Sequence, residues 1–387
     1  MSQKRIRLGL IFTVNEGWIG GTYYILNLIS ALGKLPEEKQ PVITILSKSI
    51  NDYNKAKETN YPYLNFVNPY TFKRNLVEKI LNKCSKIFFK KVIFEKRISN
   101  LQVDILFPAV NEYAYELIRN KIYWIPDFQH ILFPDLFNKA QVIDRDRSIS
   151  EIAAYKNNLI LSSKAAKSDW DRLGIEKKAN VFVIPFAVTH PQINLLSIEN
   201  LLAQYGLQEK YIIVSNQFWV HKNHFVVLKA ALILKKKSIS FQFVFTGSTE
   251  DTRQPNYYQS ILDFINDNNL NQNIKILGLI ERTHQLKLMQ HAQYVLQPSL
   301  FEGWSTVIED AKCLNKHVIA SNISVHVEQL GDNATFFNPS NELELADKIQ
   351  HLLNNDSKSY HTDYNKNVVE FGQQFFEVLD NLNKNNL

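Results

Sequence analysis

The sequence has few cysteines and no long apolar stretch. Cys84 and Cys313 are the only two cysteines in 387 residues, too few and too far apart for a disulfide framework or a cysteine-based zinc site. A reducing compartment, the cytoplasm, is therefore expected. No stretch approaches the roughly 18 consecutive apolar residues that a spanning helix requires. The apolar run Leu8–Val14 is short and no small-residue cleavage site follows it, so no signal peptide is predicted.

The sequence also has only a small excess of positive charge, because its net charge is +6. Such a balance attracts polyanions weakly, and we expect no nucleic-acid partner. With 45% apolar and 21% charged residues, the composition is that of an ordinary globular protein. A chain of 387 residues exceeds what one hydrophobic core usually supports, which predicts two domains.

Short apolar runs alternate with helical patterns along the chain, which is typical of βαβ units and an α/β fold. The first series of predicted strands is Ile6–Thr13, Val42–Ser47, Leu64–Val67, Ile105–Pro108, Ile122–Ile125, Leu159–Ser162 and Val181–Pro185. The second series is Tyr211–Ser215, Phe241–Thr246, Ile274–Leu277, Tyr294–Gln297, His317–Ala320 and Ala334–Phe337. Helices are predicted at Tyr23–Leu32 and around Ser148–Tyr155, with domains at 1–195 and 196–363 and a terminal helical stretch at 364–387.

Basic residues concentrate between Lys73 and Arg97, where nine of them accompany two acids, Glu78 and Glu95. Apolar residues recur among them at three- and four-residue steps, which predicts a basic amphipathic helix. One interpretation is a helix that packs its apolar face on the core and exposes its lysines. The other is peripheral contact of 73–97 with an anionic membrane.

Two doubly wound domains would form a cleft, and their ligands would bind at the carboxyl ends of the strands. After the first strand, a loop over 14–21 ends in Gly20 and Gly21, just before the helix predicted from Tyr23. Glycines at a helix N-terminus let a phosphate or sugar approach the backbone closely. The alternative is a plain strand-to-helix turn, because no complete G-x-G-x-x-G is present.

Imidazoles and a lysine follow two other strands. Trp124–His130 places His130 at the cleft edge, where an imidazole can bond a substrate or exchange protons, although a structural role is the alternative. In the second half, Lys222 lies beside a helix N-terminus and could hold a diphosphate. His221 and His224 lack a third ligand at a recognisable spacing, so no metal site is predicted.

The segment Phe301–Asp310, called the donor segment below, follows the strand predicted at Tyr294–Gln297. Its carboxylate Glu302 begins a turn of Gly303, Trp304, Ser305 and Thr306, whose N–H groups can receive a phosphate or a sugar hydroxyl. Asp310 lies eight residues after Glu302, just over two helical turns along a helix that starts near Ser305. The alternative is an acidic helix start that complements the helix dipole.

Taken together, these segments resemble the retaining glycosyltransferases of family 4, which have the GT-B fold of two Rossmann-like domains. The resemblance covers Gly20-Gly21, Trp124–His130, Ser162-Ser163, Ser215–His224, Gly247 and Pro298–Gln329. It is most specific in the donor segment, which resembles the family's E-x7-E motif. It implies an acceptor-binding domain at 1–195, a nucleotide-sugar-binding domain at 196–363, and a last helix that packs back on the N-terminal domain.

The resemblance also implies roles for single residues. Glu302 would contact the transferred sugar and support the positive charge at its anomeric carbon, and Asp310, rather than Glu309, would bind the ribose. Lys222 matches the diphosphate-binding lysine, and His130 the histidine that lines the donor sugar. Gln217 stands where these enzymes carry an arginine beside the phosphates, so more of the phosphate stabilisation must come from Lys222, the 303–306 backbone and Gly20-Gly21.

By the same resemblance, we expect a metal-independent, front-face transfer of a hexose-type sugar with retention, without a cofactor. The donor would be a UDP- or GDP-linked sugar and the acceptor a glycan or polyprenyl-linked molecule, in surface polysaccharide biosynthesis. Within the same architecture, a nucleotide-sugar epimerase or a phosphorylase is an alternative, although no cofactor-lysine motif is present. A nucleotide-sugar-binding protein without transferase activity is a further alternative, because Gln217 and Asp310 depart from the family pattern.

Overall fold

The computed structural model describes residues 5–355 and 363–384, apart from 16, 18, 70–75, 90–100, 111–114 and 116–117. Its N-terminal part contains β1 (Arg7–Ile11), α1 (Ile19–Leu32), β2 (Val42–Leu46), α2 (Ile50–Lys57), β3 (Leu64–Val67), α3 (Leu76–Phe89), β4 (Ile105–Phe107), β5 (Asn120–Ile125), α4 (Gln129–Leu132), α5 (Lys139–Ala154), β6 (Asn158–Leu161), α6 (Lys164–Arg172) and β7 (Asn180–Val183).

A second series of elements follows with the same alternation. It contains α7 (Ile198–Tyr205), β8 (Ile212–Ser215), α8 (His224–Lys236), β9 (Phe243–Thr246), α9 (Tyr257–Asp267), β10 (Ile274–Gly278), α10 (Arg282–His291), β11 (Tyr294–Gln297), α11 (Thr306–Cys313), β12 (Val318–Ser321), α12 (Ser324–Leu330), β13 (Ala334–Phe337), α13 (Glu342–Asn354) and α14 (Asn365–Lys384).

The strands form two parallel sheets that repeat one topology. The first has seven strands in the order β3-β2-β1-β4-β5-β6-β7, and the second has six in the order β10-β9-β8-β11-β12-β13. In each, the strand order reverses beside the first strand, between β1 and β4 or between β8 and β11. Such a switch point opens a crevice at the carboxyl ends of the strands. The predicted α/β fold of two Rossmann-like domains is confirmed.

All the predicted strands occur, and most of their ends lie one or two residues from the predicted ends. Among the helices, α1 and α5 differ most from the prediction. Helix α1 begins at Ile19, four residues before the predicted start at Tyr23, so Gly20 and Gly21 lie in its first turn. The prediction that both glycines precede the helix is therefore wrong. The backbone N–H of Asn15 donates to Thr22 Oγ1 over 3.1 Å, which ties the preceding loop to this first turn. Helix α5 starts at Lys139, well before the predicted stretch at Ser148.

The last helix, α14, belongs to the core of the N-terminal sheet. Its buried side chains recur at three- and four-residue steps and join the cluster formed by β1, α1 and β4; they are Val368, Phe371, Phe375, Val378 and Leu379. Just before this helix, the Tyr364 hydroxyl donates to Glu309 Oε2 of α11 over 2.5 Å and accepts the Val188 N–H over 3.1 Å. The chain thus returns from the second sheet to the first. The domain boundaries themselves stay predictions.

The first half of helix α3 has exposed apolar side chains. Leu76, Val77, Ile80 and Leu81 are between 43% and 74% exposed, whereas the polar Asn82 and Ser85 are buried. The interpretation in which these apolar residues pack on the core is therefore wrong. Residues 73–75 and 90–97 of the predicted basic helix lie outside the described residues.

Candidate active site

The donor segment lies directly against the N-terminal domain. Gly303 is so close to Pro126 that a Cβ built on the glycine would lie 2.0 Å from the proline carbonyl oxygen. Beside this contact, the rings of Phe301 and Phe133 meet with their centroids 6.0 Å apart. Phe133 follows helix α4, which carries His130. The structure therefore brings together the Trp124–His130 segment and the donor segment, which lie in different halves of the chain.

Three donors converge on one oxygen of Glu302. Its Oε1 accepts from Lys222 Nζ over 2.6 Å, from Gln297 Nε2 over 2.8 Å and from Ser299 Oγ over 2.7 Å. Topology explains the convergence, because Gln297 ends β11 and Lys222 follows the adjacent strand β8. The short helical turn Val220–Lys222, called the lysine turn below, ends at Asn223, which has a φ of 57°. The side-chain amide of Asn223 donates to the Pro298 carbonyl over 3.1 Å. The carboxylate is consequently held in one orientation at the switch point of the second sheet.

A buried polar chain supports this carboxylate from behind. Ser321 Oγ donates to the Ser299 carbonyl over 2.6 Å, and His326 Nδ1 lies 3.0 Å from Ser321 Oγ and 3.1 Å from the Ser321 carbonyl. Burial lowers the pKa of His326 to about 4, so its imidazole is neutral. An Nδ1–H donating to the serine fits these contacts. Ser321 and His326 lie in Pro298–Gln329, which resembles the family. Their contacts with Ser299 were not predicted.

His130 is buried at the opposite wall and presents one free ring nitrogen. Its Nε2 lies 3.2 Å from Asp146 Oδ1, while Nδ1 is buried without a partner. Burial, reinforced by the nearby Arg145 guanidinium, lowers the pKa of His130 below its usual value. An Nε2–H that donates to Asp146 leaves Nδ1 as an acceptor. The imidazole is thus suited to accept a hydrogen bond from a hydroxyl of a bound sugar.

Asp310 is fully buried and has two nitrogen partners that the sequence interpretation missed. Its Oδ1 meets Arg282 Nη2 at 2.5 Å and His190 Nε2 at 2.9 Å, whereas Oδ2 is buried without a partner. Burial alone would raise the pKa of Asp310, but Arg282 and His190 together hold it below its usual value. Arg282 begins α10, directly after β10, so the strand-end rule offered a signal for it. His190 follows the last strand of the first sheet and offered none.

Glu309 is also buried but has structural partners on every side. Gln329 Nε2 donates to its Oε1 over 3.0 Å, Lys312 Nζ to the same oxygen over 2.8 Å, and the Tyr364 hydroxyl to Oε2. These contacts join α11, α12 and the approach to α14. Of the two adjacent carboxylates, Asp310 is the one that keeps an unpartnered oxygen.

In the 303–306 turn, one of the backbone N–H groups predicted to hold a ligand is already used, and the Trp304 side chain is bound to the N-terminal domain. The Ser305 N–H donates to Gln329 Oε1 over 2.9 Å, and its hydroxyl caps α11. The Trp304 indole donates to the Phe186 carbonyl over 3.0 Å and packs against the core of the N-terminal domain. The prediction that all four N–H groups serve a ligand is wrong for Ser305. Gly303, Trp304 and Thr306 keep that prediction.

The remaining predicted residues lie at the mouths of both sheets. Gly21, Asn15 and Trp124 line a cavity of about 610 Å³ at the carboxyl end of β1, and Gly20 is not among its lining residues. Half-buried Gln217 follows β8. Gly247, just after β9, packs against this loop: its φ is 138°, and a Cβ built on it would lie 2.2 Å from the Asn216 carbonyl oxygen, so no side chain fits there. Among the described residues, no group of three or more His, Cys, Asp or Glu side chains could hold a metal ion.

Comparison with known proteins gives partial sequence matches and full-length structural ones. Residues 198–370, a little under half of the chain, match the family model of group 1 glycosyl transferases. The capsular polysaccharide biosynthesis glycosyltransferase CapH of Staphylococcus aureus is 30% identical over 182 residues, which cover 46% of this chain and 48% of CapH. The O-antigen chain mannosyltransferase RfbU of Salmonella typhimurium is 24% identical over 245 residues, which cover 63% of this chain and 64% of RfbU.

Solved structures match along nearly the whole chain at low identity. A glycosyltransferase from Rickettsia africae superposes with a TM-score of 0.66 at 16% identity and covers 99% of this chain and 100% of its own. Anabaena Alr3699/HepE, in complex with UDP and glucose, gives a TM-score of 0.64 at 16% identity and covers 97% of this chain and 100% of its own. The chain therefore has the GT-B fold, and its residues 198–370 are similar to the group 1 glycosyl transferases.

Proposed function

We propose that the chain is a retaining, metal-independent glycosyltransferase that moves a hexose-type sugar from a UDP- or GDP-linked donor to a glycan or lipid-linked acceptor. The observation that carries the proposal is the carboxylate of Glu302, which Lys222, Gln297 and Ser299 hold at the switch point. A preorganised charge of this kind stabilises a transition state without reorganising during the reaction. The similarity of 198–370 to group 1 glycosyl transferases supports it.

The contacts support a proposed role for each group around a bound donor. Lys222, which is paired with Glu302, would bind the diphosphate and offset its charge as the sugar leaves. Glu302 would then face the positive charge that develops at the anomeric carbon. His130 Nδ1 would accept a hydrogen bond from a hydroxyl of the sugar, and the unpartnered Oδ2 of Asp310 would accept one from a ribose hydroxyl. The leaving diphosphate would deprotonate the acceptor hydroxyl on the same face, so the configuration is retained.

The acceptor side of the reaction is proposed on different grounds. The cavity lined by Gly21, Asn15 and Trp124 lies at the carboxyl end of the N-terminal sheet, where an acceptor can reach the donor sugar. CapH is named for capsular polysaccharide biosynthesis and RfbU for the O-antigen chain, which supports a surface-polysaccharide acceptor.

We further propose that the protein docks on the cytoplasmic face of an anionic membrane through α3. In the described ranges, no helix has the length and apolar character needed to cross a bilayer. Helix α3 instead exposes Leu76, Val77, Ile80 and Leu81 together with Lys83. Exposed apolar side chains beside a basic sequence suit insertion at a lipid headgroup boundary.

A donor panel tests the proposed activity. The protein is mixed with UDP- and GDP-linked hexoses in the presence of EDTA, thermal shifts identify a bound donor, and NMR follows the anomer of the transferred or hydrolysed sugar. We expect one donor class to stabilise the protein and the initial product to keep the donor's anomeric configuration. An inverted product would refute retention, and loss of turnover in EDTA would refute metal independence. Binding without turnover on any acceptor would favour the non-catalytic alternative.

A further inference from the structure

The proposed diphosphate site has a neutral residue at a position where charge would be useful. Gln217 is half-buried at the carboxyl end of β8, five residues before Lys222. An amide can donate one hydrogen bond to a phosphate oxygen but brings no charge. A donor diphosphate carries at least two negative charges, and Lys222 neutralises one of them. A second cation from another element would complete the site.

Arg253, in the segment between β9 and α9, reaches the same loop. Its guanidinium carbon lies 4.7 Å from the ring centroid of Trp219, which stands between Gln217 and Lys222. The same carbon is 5.7 Å from the ring centroid of Phe137, and the Phe137 ring is 6.3 Å from that of His130. Arg253 therefore lies between the lysine turn of one domain and the histidine wall of the other.

The guanidinium of Arg253 is held in place by a nearly buried carboxylate. Asp251 is 4% exposed, and its oxygens accept from Arg253 Nε over 3.0 Å and from Nη2 over 3.3 Å. The backbone N–H of Arg253 also donates to Asp251 Oδ1 over 2.9 Å. In the described part of the chain, this arrangement leaves the N–H groups of Nη1 for a ligand. Arg253 and Lys222 act on their surroundings together, since after burial they both lower the pKa of His221.

We propose that Arg253 supplies the second positive charge for the donor diphosphate, in place of the cation that position 217 lacks. The inference rests on the proposed function, because it takes a nucleoside diphosphate as the ligand. Two aromatic rings and the Asp251 carboxylate already hold the guanidinium, so little rotamer entropy is lost on binding. The planar fork can then bond a phosphate oxygen while it remains paired with Asp251.

A structural role is the competing explanation, since Arg253 also fixes its own segment and covers Trp219. Calorimetry with UDP, GDP, uridine and guanosine separates the two on the full chain. The variants are Arg253→Gln, Arg253→Gln combined with Gln217→Arg, and Lys237→Gln as a control. Lys237 is a C-terminal-domain cation whose surface partner is Asp347.

Arg253→Gln should weaken binding of the diphosphate by about 10- to 100-fold, as expected for a charge-assisted hydrogen bond. Affinity for the corresponding nucleoside should not change, Gln217→Arg should restore most of the loss, and Lys237→Gln should bind like wild type. Undiminished diphosphate affinity in Arg253→Gln would overturn the inference while leaving the proposed function intact. Equal weakening of diphosphate and nucleoside, or no rescue by Gln217→Arg, would also overturn it and assign Arg253 a structural role. If wild type binds neither UDP nor GDP, the proposed function itself fails.

Discussion

Replacing Gly303 with alanine should separate the two walls of the site without unfolding either domain. The added Cβ would lie 2.0 Å from the Pro126 carbonyl oxygen and 3.0 Å from its carbon, both backbone atoms that no side-chain rotation can move. Ordinary contact begins at 3.4 Å. The difference between 3.4 and 2.0 Å means that the donor segment and the Trp124–His130 segment must move apart by about 1.4 Å.

A shift of this size acts on catalysis more than on stability. A misplacement of about 1 Å can cost on the order of 100-fold in rate, and we expect Gly303→Ala to lose at least that much in kcat/KM for transfer. The contacts of the donor with the C-terminal side of the site, around Lys222 and Glu302, should change little. The KM for the nucleotide-sugar should therefore remain within a few-fold of wild type. Steady-state kinetics with the donor found in the panel measures both quantities.

Gly174→Ala is the matched control, because a Cβ at Gly174 meets nothing within 4 Å and should leave kinetics unchanged. Thermal unfolding of both variants checks that the domains remain folded. Wild-type kcat/KM in a well-folded Gly303→Ala would show that Gly303 does not approach Pro126 in the working protein. The contact of the donor segment with the Trp124–His130 segment would then have no part in the reaction.

Three further predictions follow from the same structure. Lys222→Ala should abolish most transfer while circular dichroism stays native, because the diphosphate loses its ammonium partner; a wild-type rate would remove Lys222 from the site. Lys83→Glu combined with Ile80→Ser should weaken sedimentation with vesicles rich in anionic lipid, and unchanged binding would exclude α3 as the docking surface. In the folded chain, burial lowers the pKa of His224 to about 3 and that of His326 to about 4. A histidine in the unfolded chain has a pKa of about 6.5, so below that pH the unfolded chain binds more protons than the folded chain. Their contribution to stability is complete above that pH and should fall by about 1.4 kcal/mol per pH unit for each histidine as the pH drops towards 5; a urea midpoint that is flat from pH 7 to 5 would contradict this.

The sequence predicts most of the fold because buried parallel strands have a strong signature. Short apolar runs such as Tyr294–Gln297 and Ala334–Phe337 occur with the predicted bounds. Helix ends were harder to place. Glycines suggested a loop at Gly20-Gly21, yet a first turn tolerates them and α1 starts at Ile19. The outward face of α3 could not be read from periodicity, which locates an apolar stripe without showing what covers it.

The site was predictable where function depends on strand ends and less so where it depends on contacts between domains. Glu302 and Lys222 follow neighbouring strands, and their ion pair agrees with that rule. Of the partners of Asp310, Arg282 begins α10 after β10 and follows the same rule, whereas His190 comes from the connection between the sheets. The approach of Gly303 to Pro126 likewise depends on how two domains meet. The local sequence contains no information about contacts between domains.

The rate of donor consumption by Glu302→Gln tests the central claim most directly. Glutamine has nearly the same shape and can still accept from Lys222, Gln297 and Ser299, so the fold should persist, but its charge is absent beside the anomeric carbon. In the presence of acceptor, the release of nucleoside diphosphate from the preferred donor should slow by on the order of 100-fold or more. Chromatography measures this rate. Release at the wild-type rate would contradict the account of Glu302 as the group that stabilises the reacting sugar.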